Sequence, residues 1–364
     1  MKKNNNTSLT AQLITPTDSA HACAIVDAVE MPDLNTPFLA PTWQKSWINS
    51  LQHLPQIVIF SDQDRPIGYV LLGKHTPISG LPFYIALVNQ TGQQAQDQVW
   101  IEFNNIICNK KHRRACIDAL CRLLLSNFGC LRITISMCEN TSDWLAVCET
   151  NNIAVTRQPH AAYRTHLPPT HDFDAFYQAF SSNTRYQLRR ARREAENRLG
   201  AITFTVASPS QQQAFLAELA KFHILKWGKT IEGSGFNNPM FMAHHKALTT
   251  NNPNHCCIVK LQAGSEILGY SYYLMQDNTV YFYCSGVNEL VADNKIKPGY
   301  LLHLYAMQHF AKEGYQVYDF MAGDFRYKQS LSNERYTMET LTLHNPGQPA
   351  KAIEKLRKVI KKRR

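Results

Sequence analysis

Long apolar runs are missing from this chain. Mostly apolar stretches such as residues 57–60 and 119–125 fall far short of the ~20 residues a membrane-spanning helix needs. The N-terminus, MKKNNNTSLTAQLITPTDS, is polar and has no apolar core of the kind a signal peptide carries, so the expected location is the cytoplasm. Glycine and proline are neither enriched nor periodic, which excludes collagen-like and low-complexity classes. Ten cysteines are present, but there is no CxxC pair, and the adjacent Cys256 and Cys257 have no further ligand set nearby. That pattern argues against a zinc site and for reduced, mostly buried thiols.

Basic residues are concentrated in two segments. Residues 185–198 (RYQLRRARREAENR) hold six Arg and two Glu, and residues 351–364 (KAIEKLRKVIKKRR) hold eight basic residues and one Glu. These two stretches carry the whole net charge of +10, and the remainder of the chain is close to neutral. The charge therefore describes two surfaces rather than the protein as a whole. With 44% hydrophobic and 18% charged residues over 364 positions, the rest reads as folded protein of about two domains.

An internal repeat organises the chain. IVIFSDQDRPIGYVLL (57–72) and IVKLQAGSEILGYSYYL (258–274) each read as strand, polar turn, strand. Ile57, Val58, Gly68 and Tyr69 match Ile258, Val259, Gly269 and Tyr270 at one constant offset. Each hairpin is followed by an apolar strand (83–89; 280–286), a helix-like run (115–129; 300–314) and another strand (131–137; 315–321). Both helices are expected to end at a left-handed glycine cap, Gly129 and Gly314. A helix joining two strands of one sheet sets them parallel and adjacent. The expected fold class is α/β with two tandem GNAT-like (acyl-CoA N-acyltransferase) domains, each a mixed sheet flanked by helices. The expected division is a degenerate first domain at 1–167, a working domain at 168–345 and a basic terminal helix at 346–364.

In such a fold the strand before the crossover helix and the helix N-terminus would hold an acyl-CoA donor. Backbone at Ser285 and Gly286 would meet the thioester, and Lys297, Pro298, Gly299 and Tyr300, opening the helix, would face the pyrophosphate. The sequence lacks the QxxGxG/A loop typical of these enzymes. The richest polar cluster is YDFMAGDFRYK (318–328). Asp319 or Asp324 is the candidate base or acceptor-orienting group, Lys328 a candidate for recognising anionic substrate, and Tyr327 lies in the same loop. A structural pairing of Asp319 with Lys328 or Arg326 weighs equally. His223, Trp227, Glu232 and Phe236 are candidates for the acceptor pocket, and Arg189 and Arg193 for an anionic substrate. Cys284 has no basic partner, so direct attack is preferred over a covalent intermediate. No metal is expected.

Five segments carry a family resemblance: RYQLRRARREAENRLG (185–200), FHILKWGKTIEGSGF (222–236), YFYCSG (281–286), KPGYLL (297–302) and YDFMAGDFRYKQSLS (318–332). In this order and spacing they resemble the BioF2-like or CelD-like branch of the GNAT superfamily, relatives of the Fem aminoacyl transferases. TPFLAPTWQKSW (36–47) resembles part of that family's degenerate N-terminal repeat. The resemblance implies an acyltransferase without fixing the acceptor. Three readings follow. One is an acyl-CoA-dependent N- or O-acyltransferase acting on a sugar, amino acid or cell-envelope precursor. Another is a Fem-like transferase using aminoacyl-tRNA. The last is a non-catalytic module that binds nucleic acid or a membrane surface. The two basic segments are the candidate contacts for tRNA or anionic lipid, and the tail for membrane association.

Overall fold

The computed structural model describes residues 9–30, 36–77, 81–127, 129–168, 176–231 and 233–347. The basic tail at 351–364 and Glu232 lie outside the described residues. The chain forms two compact units. The first takes the chain up to His160 and resumes at Met338; the second is Ala161–Thr337.

In the first unit the elements are β1 (Leu9–Ile14), α1 (Ser19–Asp27), α2 (Pro41–Ser50), β2 (Gln56–Asp62), β3 (Arg65–His75), β4 (Tyr84–Val88), α3 (Gln94–Asp97), β5 (Ile107–Cys108), α4 (Arg113–Leu125), β6 (Cys130–Cys138), α5 (Ser142–Thr150) and the start of β7 (Ala154–His166). Gln63 and Asp64, both at positive φ, make the two-residue turn that lets β2 and β3 pair in register. The sheet order is β1-β2-β3-β4-β6, completed by the far end of the last strand, β13 (Glu334–His344), which pairs with β6 from Glu339 to His344. That pairing is why the residues from Met338 onward group with the first unit rather than with the domain that precedes them in sequence. Helix α4 packs on this sheet through Cys116, Ile117, Leu120 and Leu124. It ends at Leu125 with a right-handed cap at Ser126, so Gly129 lies beyond the helix end it was expected to cap.

The second unit continues from β7 through α6 (Ser182–Leu199), β8 (Ile202–Val206), α7 (Gln212–Trp227), α8 (Pro239–Asn251), β9 (Cys256–Ala263), β10 (Glu266–Gln276), β11 (Thr279–Val287), α9 (Pro298–Lys312), β12 (Val317–Ala322), α10 (Arg326–Leu331) and the start of β13. Its sheet runs β8-β9-β10-β11-β12-β7. Apolar residues on alternating strand positions meet α9, whose Leu301, Leu304, Met307 and Phe310 are all buried in the same core. Here Gly314 does sit in the left-handed region, at φ +90°, just past the helix end.

The two units differ at one place in the repeat. In the second, β11 stays beside β10, with one bulge, from Thr279 opposite Gln276 to Val287 opposite Gly269. In the first, β4 accompanies β3 only from Ile85 opposite His75 to Val88 opposite Leu72. The place beside Gly68 is taken instead by Cys108 of β5. Residues 89–106 thus leave the sheet where residues 283–286 of the second unit stay in it. Asn89, at φ +53°, begins the departure.

Candidate active site

Strands β11 and β12 are parallel and joined through α9, and their pairing is short. Thr279 meets Val317, Val280 meets Tyr318 and Tyr281 meets Asp319; there it stops, although β11 continues to Val287 and β12 to Ala322. Two irregularities part the strands. Opposite β10, Tyr283 is an extra residue in β11, because Tyr272 pairs with Cys284 and Tyr273 with Phe282. Opposite β7, Phe320 is the extra residue in β12, and Met321 follows at φ +60°. A bulge on each strand at the point of parting bends both backbones and leaves their inner hydrogen-bonding groups without a neighbouring strand. The result is a slot walled by backbone N–H and C=O groups.

One wall carries Ser285 and Gly286. A Cβ at Gly286 would stand 2.4 Å from the Leu219 carbonyl oxygen, 2.9 Å from Phe222 Cβ and 3.2 Å from His223 N. Only glycine lets α7 lie so close on β11, and this closeness brings His223 to the slot. His223 is buried and its Nδ1 is hydrogen-bonded to Ser234 Oγ at 2.8 Å. Its ring lies 5.1 Å from Phe236 and 6.4 Å from Trp227, so these three sequence candidates do converge. Burial, with a contribution from the Lys226 charge, lowers the His223 pKa to about 4, leaving a neutral imidazole. Beside it, His245 Nε2 is 3.0 Å from the hydroxyl of the bulged Tyr283.

The N-terminus of α9 stands at the other side of the parting. Pro298 opens the helix without a side-chain cap, so the N–H groups of its first turn have no partner within the helix. Space beside Gly299 is open, the nearest group to an added Cβ being Val287 Cγ2 at 3.8 Å. Asp293 shapes the approach, accepting from Lys295 N at 2.7 Å, Ile296 N at 2.6 Å and Arg198 Nη1 at 2.6 Å. Lys297 Nζ donates to Gln187 Oε1 of α6 at 2.7 Å and sits 5.4 Å from the Tyr300 ring.

Residues of the polar cluster take separate places. Asp319 is buried, and Met321, Tyr336 and Arg164 are among its partners. Its Oδ1 accepts from Met321 N at 2.7 Å and from the Tyr336 hydroxyl at 2.8 Å, and its Oδ2 lies 3.3 Å from Arg164 Nε. Lys328 is buried as well and donates to the Ala322 carbonyl, closing the end of β12. Its charge and, above all, burial lower the pKa of His303 on α9 to about 3. His303 Nδ1 is 2.8 Å from the Tyr318 hydroxyl, and its ring stacks on Tyr327 at 5.1 Å. Asp324 is different: its carboxylate is solvent-facing, accepts from the Tyr163 hydroxyl at 2.5 Å and from Gln329 Nε2 at 2.7 Å, and is held below the usual carboxylate range by those bonds. It borders a cavity of about 580 Å³ with Tyr163, Gln329, Ser332, Asn333, Glu334 and Arg335.

Arg189 and Arg193 lie on α6, with Arg185 and Arg190 along one groove and apart from Asp319 and His223. Sequence reasoning missed Arg164, Tyr336, Tyr163 and Ser234, all of which hold a candidate in place, and Tyr283, which holds His245. Arg164, Tyr336 and Tyr163 come from strands distant in sequence, which no local spacing reveals; Ser234 and Tyr283, inside quoted motifs, were within reach. Among the described residues no group of three or more His, Cys, Asp or Glu could hold a metal ion, and no helix is long and apolar enough to cross a membrane.

Residues 182–329 match the family model described as an acetyltransferase (GNAT) domain. No curated protein matches the chain. Among solved structures it is similar to FemX, at 12% identity and a TM-score of 0.54, covering 94% of this chain and 99% of that one. It is similar also to the C-terminal domain of a protein described as a lysylphosphatidylglycerol synthetase from Agrobacterium fabrum, at 11% identity and TM-score 0.55, covering 92% and 94%. A third is L-PGS from Bacillus licheniformis, at 9% identity and TM-score 0.50, covering 92% and 99%. At these identities the likeness is one of fold. The family match says more: residues 182–329 carry a GNAT acetyltransferase domain, which supports an acyltransferase as the enzyme class.

Proposed function

We propose that the chain is an acyl-CoA-dependent N- or O-acyltransferase whose donor lies in the slot between β11 and β12. The observation that carries this reading is the pairing that stops at Tyr281 and Asp319 while both strands run on. A pantetheine arm bonds to the freed backbone, with the thioester carbonyl near Ser285 and Gly286. The pyrophosphate takes the N-terminus of α9 at Lys297, Pro298, Gly299 and Tyr300, where first-turn N–H groups and the positive end of the helix dipole favour an anion.

The acceptor, a sugar, amino acid or cell-envelope precursor, approaches between the His223, Trp227 and Phe236 cluster and the loop after β12. Its nitrogen or oxygen attacks the thioester carbon, the C–S bond breaks, and CoA leaves as the thiolate that takes up a proton. Asp324, ionised and solvent-facing, accepts the proton of the attacking group. Asp319, already committed to Arg164, Tyr336 and Met321, is a positioning residue that holds the β12 bulge. Lys328, buried against the Ala322 carbonyl, is also a positioning residue. A cytoplasmic site of action accords with an acyl-CoA donor.

Isothermal titration with acetyl-CoA, longer acyl-CoAs and free CoA, beside Gly299→Glu, tests the reading. Saturable one-site binding that is lost in the variant is expected. A folded protein that takes up none of these thioesters but binds an aminoacyl-tRNA would replace the donor with an aminoacyl ester. That second reading is favoured by the arginine-lined face of α6.

A further inference from the structure

Helix α6 carries an excess of positive charge that the fold leaves unspent. Its two glutamates are engaged elsewhere: Glu196 pairs with Arg192 at 3.1 Å, and Glu194 lies 4.0 Å from Lys295 in the loop before α9. Arg185, Arg189, Arg190 and Arg193 meanwhile line one groove of about 390 Å³ with Ser182 and Tyr186. It lies on the face away from Leu188, Ala191 and Ala195, which pack into the core. Two of the guanidinium groups are held rather than loose. Arg185 Nη1 donates to the Phe180 carbonyl at 2.7 Å, and Arg189 sits 5.3 Å over the ring of buried Tyr177.

Four like charges in one groove repel one another, and near-fixed guanidinium groups present their remaining N–H donors as planar forks. Phosphate oxygens match such forks in charge and in geometry. The N-terminal end of an eighteen-residue helix adds the positive end of its dipole on the same side. The same helix touches the site on its other faces: Gln187 holds Lys297 at the α9 N-terminus, and Thr184 donates to the Ser330 carbonyl of α10. The α9 N-terminus is assigned to the donor, so the arginine groove is a separate place for anionic charge.

We propose that this groove binds a phosphate or pyrophosphate group carried by the acceptor, so that the acceptor is a phosphorylated compound. The assignment to the acceptor rests on the donor reading above; the binding of phosphate does not. A soluble nucleotide conjugate and a lipid headgroup would both supply this chemistry, and the arms of the test separate them.

The full chain is titrated with inorganic pyrophosphate and with uridine diphosphate, each with and without CoA. It is also sedimented with phosphatidylcholine vesicles containing or lacking phosphatidic acid. The same measurements are made on Arg189→Gln/Arg193→Gln and on Arg189→Glu/Arg193→Glu. Pyrophosphate should bind whether or not CoA is present, and bind about tenfold more weakly for each guanidinium lost. CoA binding should be unchanged, which also shows that the variants fold. Uridine diphosphate binding with no vesicle binding points to a soluble acceptor; vesicle binding that needs phosphatidic acid and fails in both variants points to a lipid one. Equal pyrophosphate affinity in the wild type and both variants would overturn the proposal, as would an RNA hairpin that binds the groove without competition from pyrophosphate. Absence of CoA binding beside intact pyrophosphate binding would instead sink the donor reading alone.

Discussion

Partly exposed Arg164 and buried Asp319 form an ion pair at 3.3 Å, and Tyr336 joins both members: its ring lies 3.7 Å beneath the guanidinium and its hydroxyl donates to the carboxylate. Removing the cation strands a desolvated carboxylate at the root of the slot. Arg164→Met should cost about 3–5 kcal/mol. Tyr336→Phe, which removes one hydrogen bond to a charged acceptor, should cost about 1–3 kcal/mol. Urea unfolding of both variants reads these directly. A loss below about 1 kcal/mol in Arg164→Met would mean that the pair is not desolvated as described.

Gly286 and Gly299 should respond oppositely to the same substitution. Gly286→Ala forces a methyl group against the Leu219 carbonyl and Phe222, lifting α7 from β11 and lowering both thermal stability and CoA affinity. Gly299→Ala enters open space on the first turn of a helix and should leave stability within about 0.5 kcal/mol of the wild type, or raise it slightly. Melting temperatures and CoA titrations on the pair decide the matter.

Two buried imidazoles impose a pH dependence. His303 and His223 have folded pKa values lowered to about 3 and about 4, against 6.5 for the free side chain. The unfolded chain therefore binds the extra protons first. Stability from this source is complete above about pH 6.5 and declines as pH falls toward 4, by roughly 1.4 kcal/mol per pH unit for each histidine. In His303→Gln the slope between about pH 6 and 4.5 should fall by one proton's worth. Urea midpoints across that window test it, and an unchanged slope would show that His303 is already protonated in the folded state.

Much of this was legible in the chain. The repeat, the crossover helices and the run 182–199 all correspond to elements that form, because apolar spacing and terminal signals suffice for long periodic segments. Bulges were not legible. Tyr318 and Phe320 do share a face, as strict alternation expects, but nothing local marks Phe320 as the residue left out of the pairing or Met321 as the positive-φ position that follows it. Nor did residues 83–89 announce that only part of them would stay beside β3, since an apolar stretch reads the same whether the next residues continue the strand or leave it. The partner of Asp319 was missed for a related reason: Arg164 arrives from β7, a strand distant in sequence, with nothing local to mark it.

The cysteines should report the absence of a covalent route. All ten are free, and all but Cys23 are buried. Burial also pushes the Cys284 thiol well above its ordinary pKa, away from the thiolate needed for attack. Brief treatment of the folded protein with N-ethylmaleimide should label Cys23 alone, as read by peptide mass mapping. Cys284→Ala should keep most of the turnover; its loss, in a folded variant that still binds CoA, would reinstate a thioester intermediate on the enzyme.

The sheet of the first unit takes its last strand from the segment that begins at Met338, after the whole second unit. On the ribosome, β6 therefore emerges with one edge bare and stays so until the GNAT domain has been synthesised. The first unit is in this sense the last part of the protein to be finished. A chain interrupted anywhere in the second unit leaves the first with an open strand edge as well, because β6 then lacks the partner that residues 339–344 supply.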